Sequence, residues 1–369
     1  MRRLLQIVPR VPPLIDGLGD YAHCLAAELR ARTGIETLFI TTDPEQRAGK
    51  DIIVLERQNS NALAKAIEGT GVRDLLLHYS GYGFDKNGIP DWLWEGLEQV
   101  GQSGRISLSV FFHELWASGR PWKKAFYLGR AQQRVVQKLQ ALAAHCFTST
   151  PKMQQLLSPQ ALATVLPISS SISCSPREWR KTTDGPLNVV IFGQGHTRLR
   201  SWQAHAQRVE EWNKQAQIRT VTLIGQDANE RSEDYKAARR IVGREKLNVC
   251  PNPSREFIGE TIRSADLFLS FYPAHLVTKS SSIMAAFACG CPVLVPQRGT
   301  SPLFKPEPPL LYADDFSPQE LLHRRERNQW HETAAAAFRW YEEHASWSGT
   351  VSAINGMLHE ERPSVLAAL

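Results

Sequence analysis

Short apolar, β-branched runs recur along the chain with amphipathic stretches between them, a pattern that predicts parallel sheet wound with helices. In the first half the runs are LLQIV (4–8), TLFIT (37–41), DIIVL (51–55), LLLHY (75–79), ISLSVFF (106–112), HCFTS (145–149) and ATVLPI (163–168). In the second half they are LNVVIFG (187–193), TVTLIG (220–225), NVC (248–250), DLFLSF (266–271) and PVLVP (292–296), with LLYA (310–313) as a sixth. Between the sets lies SSSISCSPREWRKTTDGP (169–186), rich in Ser, Thr and Pro and without apolar periodicity. The expectation is two doubly wound Rossmann-like domains, 1–170 and 187–369, joined by a linker at 171–186. The stretch 318–359 reads as helix and either finishes the second domain or braces the first. Ligands of open parallel sheets bind beyond the carboxyl ends of the strands, so the strand-to-helix loops facing a cleft between the domains are the places to search.

Composition narrows the classes. At 369 residues, with 42% hydrophobic and 22% charged residues, the chain has ordinary globular content for two cores. Its six cysteines form no CxxC pair and have no histidine at zinc-ligand spacing, which argues against a structural zinc site or a disulfide scaffold. The opening MRRLLQIVPRVPPL carries too short an apolar run for a signal peptide, and no run of about 18 apolar residues occurs. A soluble, reduced, cytoplasmic protein is expected. The net charge of +6 is unevenly spread: after Glu114 the next acid is Glu178, and eight bases lie between them. Such a segment attracts anions, whether nucleic acid, anionic lipid head groups or a phosphorylated acceptor.

Five loops and segments carry candidate chemistry. After the first strand, PRVPPLIDGLGDYA places Gly17 and Gly19 before a helix expected to start near Asp20, where bare amides suit a phosphate or sugar oxygen. GLGDYA also fits the dinucleotide pattern GxGxxA, with Asp43 as a ribose acid. The long, proline-stiffened approach from Pro9 to Asp16 is unlike a dinucleotide turn, however. His113 follows SVFF at a strand's carboxyl end, where an imidazole can donate to a sugar hydroxyl or carbonyl. In the second half, FGQGHTRLR sets Gly193 and Gly195 beside Arg198 and Arg200, donors suited to phosphate charge. Thr278, Lys279, Ser280, Ser281 and Ser282 gather before the short apolar helix IMAAFACG. There the helix dipole supplies about 0.3 to 1 kcal/mol, whereas a lysine about 4 Å from a phosphate supplies roughly 4 kcal/mol at an effective dielectric near 20. Lys279 should therefore dominate, although serines also cap helices. Finally, WASGRPWKKAFYLGRAQQRVVQKL (116–139) interleaves aromatics with bases, and fits a membrane-surface helix or an ordinary helix with a solvated basic face equally well.

Taken together, DGLGDYA after the first strand, the histidine ending SVFFHELW and the segment MAAFACGCPVLVP resemble the retaining glycosyltransferases of the GT-B fold, in the large family-4 group. The resemblance spans most of the chain. It implies metal-independent transfer from a nucleoside diphosphate sugar, with no other cofactor, to a glycan, lipid-linked or other small acceptor. Polysaccharide-type biosynthesis is expected with it; the bases and aromatics of 116–139 add an expectation of peripheral membrane contact, and no nucleic-acid partner is expected. On that carry-over Gly17, Gly19 and Asp20 lie near the diphosphate and sugar, His113 holds a sugar hydroxyl, Arg198 or Arg200 neutralises the departing diphosphate, and residues 278–282 grip the nucleotide side. The family's two glutamates, eight positions apart, are replaced here by Val277 and Ala285, and the usual arginine and lysine-glycine pair after the 187–193 strand are absent in their normal form. These departures keep a non-catalytic GT-B binding protein open as the alternative, with an NAD-type dehydrogenase resting on GxGxxA alone.

Overall fold

The computed structural model describes residues 2–14, 16–117, 124–157, 163–172 and 185–359, leaving aside the side chains of residues 124 and 125. In chain order the elements of the first half are β1 (Arg3–Val8), α1 (Gly17–Thr33), β2 (Glu36–Thr41), β3 (Ile52–Val54), α2 (Ser60–Thr70), β4 (Asp74–Tyr79), α3 (Gly81–Phe84), α4 (Asp91–Gly101), β5 (Ser107–Phe112), α5 (Lys124–Leu142), β6 (His145–Thr148), α6 (Pro151–Leu156) and β7 (Ala163–Val165). The second half follows with β8 (Leu187–Phe192), α7 (Gly195–Lys214), β9 (Ile218–Ile224), α8 (Glu233–Val242), β10 (Leu247–Cys250), α9 (Arg255–Ser264), β11 (Leu267–Leu269), α10 (Ser281–Ala288), β12 (Val293–Val295), β13 (Leu311–Tyr312), α11 (Pro318–Glu326), α12 (Gln329–His344) and α13 (Trp347–His359). Every predicted strand is present. They are legible because strands covered on both faces read as continuous apolar runs rather than as alternation.

The chain divides into two compact units, one built from residues up to Leu166 together with the helix starting at Trp347, the other from Pro167–Ser346. The first holds a seven-stranded parallel sheet in the order β3-β2-β1-β4-β5-β6-β7, with Leu5 opposite Leu38 on one side and Leu75 on the other. Leu5, Leu75, Val110 and Phe112 are buried against Leu63, Leu97 and Val136 of α2, α4 and α5. The second holds a six-stranded parallel sheet, β10-β9-β8-β11-β12-β13. Trp202 and Trp212 of α7 fill one of its cores, and Phe287 with Trp340 the other.

Two expected boundaries move. The second unit starts at Pro167: the Ser170 amide donates to the Tyr341 hydroxyl at 3.2 Å and Ile172 is buried in a core of that unit, while the rest of the linker, 173–184, lies outside the described residues. The terminal helical stretch is three helices, and only α11 and α12 finish the second unit. The third, α13, belongs to the first, where it packs on α1 with Trp347 against Tyr21 (ring centroids 5.0 Å apart) and the Leu358 carbonyl accepts from Arg2. Cys146 and Cys250 are free thiols, whereas Cys289 is disulfide-bonded, contrary to the expectation of a fully reduced chain. Among the described residues no helix is long and apolar enough to cross a membrane.

Candidate functional site

In both sheets the strand order reverses direction at one point, between β1 and β4 in the first unit and between β8 and β11 in the second. At such a point the two adjacent strand-to-helix connections run to opposite sides and leave a crevice between their starts, which is where doubly wound sheets bind ligands. The nominated loops follow β1 and β5 in one unit, and β8 and β11 in the other.

In the first unit α1 starts at Gly17 rather than near Asp20, because Asp16 takes the N-cap and its carboxylate accepts from the Gly19 amide at 3.0 Å. The two glycines then differ. A Cβ on Gly19 would stand 2.1 Å from the Arg10 carbonyl oxygen, so Gly19 lets the helix pack against its own approach loop, whereas a Cβ on Gly17 would meet nothing within 4 Å. His113 is buried, its amide donating to the Tyr79 carbonyl. Its ring lies among Phe111, Tyr21 and His78, with centroids 4.3, 5.4 and 5.3 Å away. The neighbouring Glu114 accepts from the Ser80 hydroxyl at 2.9 Å.

In the second unit the two arginines part company. Arg198 is wholly buried: its Nε donates to Asp234 at 2.7 Å, and its Nη1 donates to Asp227 at 2.8 Å and to the Gly193 carbonyl. Asp227 also accepts from the Gly195 amide at 3.0 Å, so a carboxylate already occupies the N-terminus of α7. Partial burial pushes the Asp227 carboxyl up, but the Arg198 hydrogen bond and charge outweigh this and hold it below the usual carboxylate range. Arg200 is exposed and lies over the Phe271 ring at 4.1 Å. His205, driven down to about 4 by burial and therefore neutral, donates from Nε2 to the Ser270 carbonyl, while the Ser201 hydroxyl accepts from the Phe271 amide. These bonds tie α7 to the loop after β11.

That loop runs through a 3-10 turn (Ala274–Lys279) into α10. Ser280 is the N-cap, its hydroxyl accepting from the Ile283 amide at 3.3 Å and bonded to the Ser282 hydroxyl at 3.0 Å. Thr278 is buried and its carbonyl accepts from Ile168, Lys279 is half-buried, and Ser281 is exposed. Capping by Ser280 leaves the first helical amides, those of Ser281 and Ser282, without intrahelical acceptors. Val277 and Ala285 are fully buried in an apolar core, so neither position presents a side chain to a ligand.

The nominated residues group by element in each unit, and Arg198 and Gly195 stand apart on Asp227 and Asp234. Gly17, Gly19 and Asp20 lie at the start of the helix whose Tyr21 contacts His113, and Arg200 of α7 lies over Phe271, which begins the loop leading to Lys279 and Ser280–Ser282. His78, Gln6, Asp227 and Asp234 were not nominated. The available signal was a histidine and a glutamine inside the otherwise apolar strands LLLHY and LLQIV. On α5 the described bases Arg130, Arg134 and Lys138 form an exposed stripe at helical spacing beside Tyr127, which is 67% exposed, whereas 118–123 lie outside the described residues. A groove of about 1170 Å³ beside α1 and β2, lined by Arg3, His23, Arg30, Phe39 and Lys50, contains none of the nominated residues. Among the described residues no group of three or more His, Cys, Asp or Glu is placed to hold a metal.

Two doubly wound parallel-sheet units in one chain define the GT-B class of fold. No protein-family model matches the chain, and no curated protein matches its sequence. Solved structures do match it along nearly its whole length. The pneumococcal O-GlcNAc transferase GtfA, in complex with UDP and GlcNAc, has a TM-score of 0.65 at 8% identity, covering 97% of this chain and 99% of that one. WaaG, a glycosyltransferase involved in lipopolysaccharide biosynthesis, has a TM-score of 0.61 at 12% identity, covering 96% and 100%. A UDP-N-acetylglucosamine 2-epimerase from Listeria monocytogenes has a TM-score of 0.58 at 12% identity, covering 98% and 97%. At these identities the likeness is one of fold.

Proposed function

We propose that the protein transfers a sugar from a nucleoside diphosphate sugar to a glycan, lipid-linked or other small acceptor, without a metal and with retention of configuration. The observation that supports this reading is the glycine loop after β1 and His113 after β5 in one unit, with Arg200 after β8 and residues 278–282 after β11, the two switch-point strands, in the other. Uridine nucleotides are the first donors to test, because GtfA and an α-glucosyltransferase with the same fold were solved with UDP.

Diphosphate charge falls to Lys279 and Arg200, assisted by the Ser281 and Ser282 amides of α10. Arg198 and Gly195 leave that role, since Arg198 is wholly buried with its charge met by Asp227 and Asp234, and the Gly195 amide donates to Asp227. His113 holds a hydroxyl of the transferred sugar beside the open start of α1 at Gly17. Incubation with a panel of nucleoside diphosphate sugars in EDTA should release the nucleoside diphosphate, and the anomeric configuration of the product should match the donor. Release that disappears in EDTA and returns with magnesium or manganese would remove the metal-free assignment. Nucleotide binding with no turnover on any donor would favour the non-catalytic alternative.

The exposed base stripe of α5 is proposed to hold the protein at an anionic membrane that carries its acceptor. Each base near such a surface contributes about 1 kcal/mol and is screened by salt. Flotation with anionic liposomes at low salt should carry the protein upward, while neutral liposomes should not. Equal, negligible binding to both would make the stripe an ordinary solvated helix face.

A further inference from the structure

The exposed Arg200 does not project freely from α7: its guanidinium carbon stands over the Phe271 ring, 4.1 Å from the centroid. Phe271 is the second residue past β11, a switch-point strand, and its ring lies 4.2 Å from that of Tyr272 at an interplanar angle of 31°. We propose that Phe271 is a positioning residue: it holds the Arg200 guanidinium so that the planar fork is set for a diphosphate before the nucleotide arrives.

The helix that carries the arginine also fixes the ring. Ser201 and His205, one turn apart on α7 and both buried, reach the end of β11. The Ser201 hydroxyl accepts from the Phe271 amide at 3.1 Å, and His205 donates to the Ser270 carbonyl at 2.9 Å. Arg200 and Phe271 are therefore both anchored to one helix rather than to two independent loops. A flat, weakly hydrated guanidinium stacks on an aromatic face and still presents its N–H edge, whereas a lysine ammonium has no flat face to hold. Among the described residues Arg200 has no ion pair, which leaves that edge to an anion. A long side chain already held by its own protein loses less freedom on binding, so the stack raises affinity without touching the ligand. The consequence for the nucleotide rests on the reading that Arg200 meets the diphosphate.

Nitrogen-15 relaxation of the Arg200 Nε–H in nucleotide-free protein, assigned by its loss in Arg200→Ala, tests the stack. The group should be restrained in wild type and in Phe271→Tyr, which keeps the ring, and mobile in Phe271→Leu. Calorimetry with UDP should show a Kd raised by about threefold to tenfold in Phe271→Leu and close to wild type in Phe271→Tyr. In an Arg200→Ala background Phe271→Leu should change UDP affinity no further, because the ring acts only through the arginine. Circular dichroism identifies any variant that does not fold, and Phe271→Met replaces Phe271→Leu in that event. A mobile Arg200 in wild type, a restrained Arg200 in folded Phe271→Leu, or a loss of UDP affinity that persists in the Arg200→Ala background would overturn the proposal. So would wild-type UDP affinity in Phe271→Leu when Arg200→Ala is weakened. If Arg200 is restrained as stated while Arg200→Ala binds UDP like wild type, the diphosphate reading of Arg200 fails and the hold of Phe271 on it stands.

Discussion

Replacing Arg198 with methionine is expected to destabilise the second unit by about 3 to 5 kcal/mol, the usual cost of removing one partner from a buried ion pair. The reason is Asp234, 1% exposed, whose carboxylate would lose the guanidinium Nε at 2.7 Å and remain in the core as an unpaired charge. Asp227 would suffer less, since its side chain is 59% exposed and water can replace the lost bond. For a unit of this size the loss corresponds to a fall in Tm of roughly 10 °C. Adding Asp234→Leu to Arg198→Met should recover part of it, because the pair is then absent rather than broken. Thermal melts of the two single variants and the double variant give the coupling. A folded Arg198→Met protein with wild-type Tm and reduced turnover would return Arg198 to the diphosphate, as the sequence first suggested.

Lys279 and His113 should fail in different ways. If Lys279 grips the diphosphate in the ground state, Lys279→Ala should weaken UDP binding by about 1.5 to 3 kcal/mol, roughly a tenfold to hundredfold rise in Kd, with a parallel rise in KM for the donor. If His113 touches only the sugar, His113→Ala should leave UDP affinity nearly unchanged and cut turnover by a similar factor, since contacts strengthened in the transition state appear in kcat. Calorimetry with UDP and steady-state kinetics on both variants separate the roles. Wild-type UDP affinity in Lys279→Ala would take the lysine out of the site, and wild-type turnover in His113→Ala would do the same for the histidine.

The strands were readable because burial on both faces writes itself locally as an apolar run. The placement of α13 was not: helical periodicity shows that Trp347 and Ile354 need cover, but not that α1 supplies it. The fate of Arg198 was partly legible. Arg198, Trp202, His205, Val209 and Trp212 recur at helical spacing and form the buried stripe of α7, so Arg198 falls inside while Arg200, two residues on, falls outside. What the sequence could not supply were its partners, because Asp227 and Asp234 come from a later connection and helix. His113 was found from its position at a strand end. His78 and Gln6, which lie behind it, become its neighbours only after β1, β4 and β5 pair.

The central claim is that the second unit binds a nucleoside diphosphate, and titration with UDP in EDTA followed by thermal melting tests it most directly. At a hundredfold excess over Kd, linkage predicts about 2.7 kcal/mol of stabilisation, a shift in Tm of several degrees. UDP or GDP should give that shift and NAD should give none. Stabilisation by NAD with no response to UDP or GDP would contradict the account.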